Sequence, residues 1–223
     1  AAPGNGALGA MSWSPLRFLR RGIDARPIRG LPERLGAPAA EANHTVAVIV
    51  SHEPDERLDT VLDAALAQCA RVVLVDNASA EPVRARLRAR AAATPSLILI
   101  ENETNRGLAA AQNQGLAAAR ADGADWILLL DDDSVPAPDM VARLLAGWRA
   151  LPDRSRVGLV SPRLADAEGT LKPYLLASRS GWDLRRGRLA EGAVVRDGVF
   201  AIASGSLIRR DVLNVTGPMA DPF

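Results

Sequence analysis

The chain has 223 residues, of which 48% are hydrophobic and 24% are charged, the balance of an ordinary globular protein. Its formal net charge of +1 argues against the basic excess of a nucleic-acid-binding protein, so no nucleic-acid partner is expected. No apolar run approaches the roughly 18 residues of a membrane-spanning helix. The one cysteine, Cys69, cannot form an internal disulfide, which favours a reducing, cytoplasmic compartment.

Composition divides the chain near residue 43. Residues 1–43 are rich in Ala, Gly, Pro and Arg and show no sustained hydrophobic period, which predicts a flexible N-terminal extension. Its basic and aromatic patch at 13–21 is compatible with peripheral contact at the inner face of a membrane, although a solvated tail is the simpler interpretation. Residues 44–223 are predicted to form the globular domain.

From residue 46 onward, short apolar runs alternate with helical stretches, which is the pattern of a βαβ sheet. Because the runs show little polar alternation, we predict an α/β fold whose mostly parallel sheet is flanked by helices on both faces. The predicted strands are 46–50, 71–75, 97–100, 126–130 and 157–160, and the predicted helices are 56–70, 81–92, 108–121 and 138–151. After residue 160 the pattern is less regular, which predicts a mixed region with strands at 174–178 and 194–203 and a short helix from Arg209.

Polar residues follow each of the first four predicted strands, at 51–53, 76–77, 101–102 and 131–133. Ligands of parallel sheets bind outside the carboxyl ends of the strands, so this edge is the predicted site. The first strand is followed by neither a dinucleotide-binding glycine fingerprint nor a Walker loop. A diphosphate would therefore have to be held by a metal.

The segment WILLLDDDS ends an apolar strand in three adjacent carboxylates, whose mutual repulsion calls for an offsetting positive charge. Strand alternation predicts that Asp131 and Asp133 face one way and Asp132 the other. Oxygen ligands without His or Cys suit Mg²⁺ or Mn²⁺, with water and a substrate phosphate completing the shell. The alternative is that these residues only end the strand and cap the next helix, but one aspartate would be enough for that.

Five segments in order resemble the inverting family 2 glycosyltransferases with the GT-A fold, and among them the rhamnosyltransferase-like branch: VAVIVSHEP, VVLVDNAS, NETNRGLAAAQNQGL, DWILLLDDDS and SGSLIRRDVLNVTGPM. The resemblance covers residues 45–223. It implies metal-assisted transfer of a sugar, rhamnose in that branch, from a UDP- or dTDP-linked donor with inversion. The implied acceptor is a glycan or a lipid-linked glycan, in cell-wall polysaccharide biosynthesis.

By the same resemblance, Ser51 and Asp76 bracket the base and ribose, whereas Gly205 lies near the transferred sugar. The residues expected to bind the nucleotide sugar are Ser51, Glu53, Asp76, Asn77, Gly107, Asn113, Asp131, Asp132, Gly205 and Ser206. The expected metal ligands are Asp131 and Asp133. Turn or bulge roles stay open for Asp76, Gly107 and Gly205, and a solvated position for Asn113.

Two departures bear on the catalytic apparatus. Family members often have Thr-Tyr-Asn at 51–53, where this chain has Ser-His-Glu, so base contacts there are expected to be largely through the backbone. The family's carboxylate base follows the Gly-Pro-Met segment, here 217–219, and the nearest acid, Asp221, does not match its position. The expectation is a base beyond Phe223, a domain incomplete at its C-terminus, and a chain that could be inactive by itself.

Three other functions were weighed against this one. A phosphatase of the haloacid dehalogenase type would use Asp131 as nucleophile and Asp133 as acid, but its motif normally opens the domain, whereas three predicted strands precede it here. A nucleotidyltransferase would carry a glycine-rich basic loop after the first strand, and 51–55 is acidic. A non-catalytic nucleotide-sugar-binding fragment is the third.

Overall fold

The computed structural model describes residues 44–163, residue 170 and residues 203–220, together with the course of three short strands between them. The predicted extension 1–43 and Asp221 lie outside the described residues. The predicted domain boundary near residue 43 therefore stays a prediction. None of the helices in the described part of the chain is long and apolar enough to cross a membrane.

The first half of the chain alternates strands and helices in the predicted order. The strands are β1 (Thr45–Ser51), β2 (Arg71–Asp76), β3 (Leu97–Glu101) and β4 (Trp126–Asp131). The helices that follow them are α1 (Arg57–Leu66), α2 (Glu81–Ala92), α3 (Leu108–Ala121) and α4 (Met140–Arg149). The later elements are β5 (Leu159–Val160), β6 (Tyr174–Ala177), β7 (Leu184–Gly187), β8 (Val199–Phe200), β9 (Leu207–Arg209) and α5 (Arg210–Thr216).

Helix α1 is shorter than predicted because the chain must turn back into β2. The prediction ran to residue 70, but the helix ends at Leu66. The amide of Cys69 still donates to the Ala65 carbonyl, at 2.9 Å, whereas the amide of Ala70 donates to the Thr45 carbonyl of β1, also at 2.9 Å. This change of partner, from helix to strand, marks where the β1–β2 ladder begins.

The main sheet has six strands in the order β3-β2-β1-β4-β9-β5. Strand β1 pairs in parallel with β2 and β4, and β2 pairs in parallel with β3. Strand β9 pairs antiparallel with both β4 and β5. A second sheet, in the order β7-β6-β8, is antiparallel and forms the mixed later part of the fold. The predicted α/β class, with a mostly parallel sheet, is confirmed.

The sequence analysis did not predict β7, and it also missed β9. The three residues of β9 lie directly before α5, in a segment expected to lead from a turn straight into a helix. Strand β5 was predicted over 157–160 but contains only Leu159–Val160, since a 3₁₀ turn occupies Arg154–Arg156. Within the strand predicted at 194–203, Val199–Phe200 is a strand and Ala203 lies in a bend, and the other residues of that prediction lie outside the described part of the chain.

Both faces of the sheet are buried, as the apolar runs predicted. In β1, Ala47 and Ile49 face a cluster shared with α1 and α4, whereas Val46 and Val48 face one shared with α3 and α5. Burying one such aliphatic side chain contributes about 1.5–3 kcal/mol. Cys69 belongs to the first cluster, and burial raises the pKa of its thiol to about 12, so it is not a reactive group.

Candidate active site

The parallel pairing brings four strand ends to one edge of the sheet. Ser51 lies opposite Asp76, and Asp76 lies opposite Glu101. On the other side of β1, Val50 lies opposite Asp131. The polar residues that follow these strands therefore lie at one edge of the sheet, as predicted.

Ser51 is buried at the carboxyl end of β1. Its carbonyl accepts the Asn77 amide at 2.8 Å, which ties β1 to the turn after β2. Its hydroxyl has no hydrogen-bond partner among the described residues. An unsatisfied buried hydroxyl costs about 1–3 kcal/mol, so a polar ligand atom that reached it would recover that cost.

Asp76 is fully buried and shapes the loop after β2. Its carboxylate accepts hydrogen bonds from the Ser79 hydroxyl and from the Ser79 amide, the latter at 3.2 Å. Arg84 Nε lies 3.8 Å from the same carboxylate and 3.1 Å from Glu101. The turn role weighed for Asp76 is therefore observed, whereas its contact with a nucleotide stays a prediction.

The loop after β1 is strained where it meets the loop after β2. Glu53 has a φ of 51° and Ala78 a φ of 72°, a region that costs a residue with a side chain about 1–3 kcal/mol. Two contacts hold Glu53: its amide donates to Ser79 Oγ at 2.8 Å, and its carboxylate accepts the Ala80 amide. These contacts lock the two loops together beside Ser51.

Four amide side chains link the ends of β2 and β3 to α3. Gln114 and Asn102 exchange two hydrogen bonds of 2.9 Å each. The Asn102 amide also donates to Asn77 Oδ1 at 3.0 Å, and the Asn77 amide donates to Asn105 Oδ1 at 2.8 Å. Since Asn77 and Asn102 are buried, each bond offsets the cost of desolvating an amide.

This network shapes the turn that enters α3. The Arg106 amide donates to Asn77 Oδ1, and the Gly107 amide donates to Asn105 Oδ1, each at 3.0 Å. Gly107 has a φ of 79°, and a Cβ there would meet no atom within 4 Å, so backbone conformation rather than crowding requires the glycine. Both the oxygen and the nitrogen of the Asn77 side-chain amide form hydrogen bonds within the protein. The observed role of Asn77 is therefore to position the loop.

Asn113 is engaged by the segment that follows α5. Its amide donates to the Met219 carbonyl at 3.0 Å, and its Oδ1 accepts the Met219 amide at 2.8 Å. Asn113 is therefore not solvated, because the oxygen and the nitrogen of its side-chain amide both bind the backbone of Met219. Its expected contact with the nucleotide sugar remains a prediction.

The acidic turn, Asp131 to Asp133, differs from the prediction in one respect. Strand β4 ends at Asp131, and the next two residues form a turn, so strand alternation does not decide where their side chains point. The expected arrangement, Asp131 and Asp133 on one side and Asp132 on the other, therefore loses its basis in strand alternation and stays a prediction. Asp131 and Asp132 are half-buried and Asp133 is exposed.

Uncompensated negative charge marks this turn. Burial, and then the charge of Asp133, raise the pKa of Asp131, while a contact with the Ser204 hydroxyl acts in the opposite direction. Burial raises the pKa of Asp132 as well, with Asp133, Asp131 and Asp55 adding to the effect. Arg57 approaches Asp133 at 3.9 Å. The turn thus has the chemistry of a site for a hard cation.

The described residues contain no group of three or more His, Cys, Asp and Glu side chains arranged to hold a metal ion. An ion of the Mg²⁺ type typically takes one or two protein carboxylates and completes its shell with water and substrate phosphate. Asp131 and Asp133 fit that limited donor set. The fit rests on their oxygen chemistry and on the repulsion between them.

The turn at 204–206 lies against the end of β4. The amide of Asp131 donates to Ser204 Oγ at 3.1 Å, and the amide of Gly205 donates to the Leu129 carbonyl at 2.7 Å. The amide of Leu129 in turn donates to the Ser206 carbonyl at 2.9 Å. Gly205 has a φ of 83°, so a glycine suits this turn on conformational grounds alone. The predicted sugar-side segment and the acids are therefore neighbours.

Four residues near the site escaped the sequence analysis: Ser79, Asn102, Gln114 and Arg57. Asn102 was noted only as polar, and its pairing with Gln114 carries no local signal because the two lie in different elements. Gln114 is only half-buried and lies off the buried face of α3, so the helical pattern gave no signal for it either. Arg57 is the first residue of α1, where an arginine is usually a solvated surface residue.

Solved structures with similar folds are glycosyltransferases. The mannosyltransferase PcManGT from Pyrobaculum calidifontis, in complex with GDP-Man and Mn²⁺, superposes with a TM-score of 0.54 at 20% identity, over 83% of this chain and 50% of that one. GalNAc-T7, with UDP, GalNAc and Mn²⁺, has a TM-score of 0.54 at 15% identity, over 79% of this chain and 37% of that one. At such identities the likeness shows the fold, and the predicted GT-A sheet is confirmed.

Sequence comparison gives a more specific relationship. The galactofuranosyltransferase GlfT1 of Mycolicibacterium smegmatis is 29% identical over 177 residues, which are 77% of this chain and 58% of that protein. The chain thus spans a little over half the length of that relative. The profile described as Glycosyl transferase family 2 matches residues 45–217, which include β1, the acidic turn and α5. The chain belongs to glycosyltransferase family 2.

Proposed function

We propose that this protein transfers a hexosyl group from a nucleoside-diphosphate sugar, bound at the carboxyl edge of the main sheet, to a glycan or lipid-linked acceptor. The observation that carries the proposal is the meeting of the acidic turn with the 204–206 turn, where Asp131 donates its amide to Ser204 Oγ at 3.1 Å. Family membership leaves no place for the phosphatase and nucleotidyltransferase alternatives.

The donor proposed first is UDP-galactofuranose, because the GlfT1 relative is a galactofuranosyltransferase. A dTDP-linked rhamnose is the second candidate, since the order of the motifs resembles the rhamnosyltransferase-like branch. Uracil and thymine present the same N–H and carbonyl edge, so a single base pocket beside Ser51 and Asp76 would suit either nucleotide. The role that follows is in polysaccharide biosynthesis.

A metal ion fits the proposal as a partner of the donor diphosphate. Asp131 and Asp133 would hold Mg²⁺ or Mn²⁺, and such an ion supplies Lewis-acid stabilisation of the charge on a leaving diphosphate. A metal ion held by these carboxylates would lie close to the 204–206 turn, the segment proposed to border the sugar, because Ser204 Oγ accepts the backbone amide of Asp131. Asp132 is proposed to face the ribose or the diphosphate.

The remaining predicted residues divide into contact and positioning roles. Ser51 is proposed as a contact, since its buried hydroxyl lacks a partner among the described residues. Glu53 and Gly107 shape the loops that border the base, and Gly205 and Ser206 border the sugar. Asn77 and Asn113 are proposed to act by positioning, because the protein already engages their amides.

Transfer with inversion is part of the proposal. An acceptor hydroxyl would attack the anomeric carbon on the face opposite the leaving diphosphate, and a carboxylate would take its proton. We assign that base to none of the described residues. Cytoplasmic localisation and peripheral contact with the inner face of a membrane remain predictions from composition alone.

The test is titration calorimetry with UDP and dTDP, each with Mn²⁺ and with EDTA, followed by product analysis with UDP-galactofuranose, dTDP-rhamnose and a glycan acceptor. We expect metal-dependent binding of at least one nucleotide and inversion at the transferred carbon. Exposed Glu103→Gln serves as a control variant. In a longer chain that extends past Phe223, binding without turnover would select the non-catalytic alternative. No metal-dependent binding of either nucleotide would reject the proposal.

A further inference from the structure

Arg57 connects the loop after β1 to the acidic turn after β4. It is the first residue of α1, and its guanidinium Nε lies 3.1 Å and 2.9 Å from the two carboxylate oxygens of Asp55. A terminal nitrogen of the same guanidinium lies 3.9 Å from Asp133 Oδ2. The side chain of Arg57 is 51% exposed and that of Asp133 52%, so the contact can break and re-form without disturbing the core.

The charges around Arg57 are strongly unbalanced. Asp55 and the three residues of the acidic turn contribute four carboxylates, and the Asp55 carboxylate is near enough to act on Asp132. One guanidinium offsets one of these charges. A divalent cation would offset two more, and a nucleoside diphosphate would then add at least two negative charges to the same edge. The metal and the guanidinium together do not offset this total. Once the metal binds Asp133, the Arg57 charge is better placed on the diphosphate than on a carboxylate that the metal already neutralises.

Guanidinium chemistry suits that task. The planar fork of arginine matches carboxylate and phosphate oxygens equally well and can bind either in a bidentate way. The exposed ion pair with Asp133 contributes little stability, since such pairs are worth about 0–1 kcal/mol. Exchanging that carboxylate for a phosphate therefore costs the protein little.

We propose that Arg57 is a diphosphate-binding residue that changes partners when the donor arrives. In the free protein it approaches Asp133 and so competes with the metal for that carboxylate. When Asp133 turns to the metal, the guanidinium binds the donor diphosphate and supplies the positive charge that the metal alone does not. This inference rests on the proposed function, because it assumes a nucleoside-diphosphate donor at this edge.

The simpler role for Arg57 is local, as a partner of Asp55 two residues earlier at the start of α1. The Arg57 amide also donates to Asp55 Oδ1 at 2.9 Å, and this backbone bond would survive loss of the side chain. A local role predicts the same small loss of helix stability whether or not a ligand is present. A change of partners instead predicts opposite effects on two ligands.

The experiment compares the full chain with Arg57→Ala, Arg57→Lys and the control Arg143→Ala. The Arg143 guanidinium, on α4, pairs with Asp139, the residue that precedes the helix. Calorimetry measures three probes: Mn²⁺ alone, UDP with Mn²⁺, and uridine. In Arg57→Ala we expect Mn²⁺ alone to bind up to about fivefold more tightly, because the competing cation is gone. UDP with Mn²⁺ should bind about tenfold or more weakly, and uridine equally well.

Arg57→Lys should recover part of the UDP affinity, because an ammonium keeps the charge but loses the bidentate geometry. Circular dichroism and thermal unfolding establish that each variant is folded. If UDP with Mn²⁺ binds Arg57→Ala as it binds the wild type, or if uridine weakens in parallel with UDP, the assignment of Arg57 is overturned while the proposed function stands. If the wild type binds neither UDP nor dTDP with Mn²⁺, the proposed function is rejected and this inference with it.

Discussion

Asp131 illustrates how single residues at this site are placed for chemistry at a cost in stability. Its half-buried carboxylate lies beside two others, and burial together with the Asp133 charge raises its pKa above the ordinary value of 3.8. The ionised form is therefore less favourable in the folded protein than in the unfolded chain. Such a cost is typical of residues kept for a ligand.

Asp131→Asn should make the protein more stable at neutral pH and remove metal binding. Because the folded pKa lies above the unfolded one, the contribution of Asp131 to stability is complete below the unfolded value and is lost as pH rises through the folded pKa. We therefore expect the variant to be more stable than the wild type at neutral pH, with the gain disappearing as the pH falls towards the ordinary pKa of an aspartate.

Urea unfolding across that pH range measures the difference, and titration of Mn²⁺ measures the loss of binding. Asparagine retains an oxygen that can accept the Ser204 hydroxyl, so the variant loses the carboxylate charge but not this contact. Glu103→Gln provides the exposed control. Equal stability of Asp131→Asn and wild type at neutral pH would contradict the account of this carboxylate.

At the scale of elements, the close approach of α3 to β1 supports the amide network at the site. Gly115 of α3 packs on Val48 of β1, and a Cβ on Gly115 would lie 2.3 Å from Val48 Cγ1. Helix α3 therefore lies low on the sheet, which brings Gln114 within 2.9 Å of Asn102 at the end of β3. A glycine that lowers helix propensity thus sets the depth of the helix.

Gly115→Ala should destabilise the protein by about 1–3 kcal/mol, although alanine is the better helix former by about 1 kcal/mol. The reason is the stiff, buried Val48 side chain, which has little room to move. Val48→Ala combined with Gly115→Ala should be less destabilised than the sum of the two single changes. Urea denaturation of the four proteins measures this coupling, and simple additivity would show that the helix moves away without cost.

At the scale of the whole molecule, Arg209 joins parts of the chain that are far apart in sequence. The residue is only 1% exposed, and its guanidinium donates to the carbonyls of Arg154, Ser155 and Val157 at 3.4, 3.0 and 3.3 Å. Its guanidinium carbon also lies 5.6 Å from the centre of the Trp148 ring. Arg209 thereby fixes β9, and with it the 204–206 turn, against β5 and α4.

Arg209→Met should lower the free energy of unfolding by about 3 kcal/mol, because it removes a donor from three carbonyls and leaves the Asp211 carboxylate without its guanidinium. Its neighbour Arg210 offers a matched control. Arg210 pairs with Asp125 at 3.8 Å from an exposed position, so Arg210→Met should cost less than about 1 kcal/mol. Urea unfolding compares the two, and equal losses would refute the special role of Arg209.

Much of this architecture could be predicted from the sequence because it depends on local pattern. Apolar runs of β1 to β4 and the polar residues that follow them are continuous in the chain, so both the strands and the functional edge could be read directly. The prediction failed where the strand was too short to show a period. Strand β9, with three residues, is such a case.

The sequence by itself determined a βαβ sheet, the edge that carries the site and the acids that suit a metal. Only the tertiary structure decided that Asp131 meets Ser204, 73 residues away, and that the amides of Asn77 and Asn113 bind other parts of the protein. It also decided that Arg57 reaches the acidic turn. The physical reason is that strand and helix periods are set by neighbours in the chain, whereas hydrogen bonds and ion pairs between distant segments exist only once the sheet has brought those segments together.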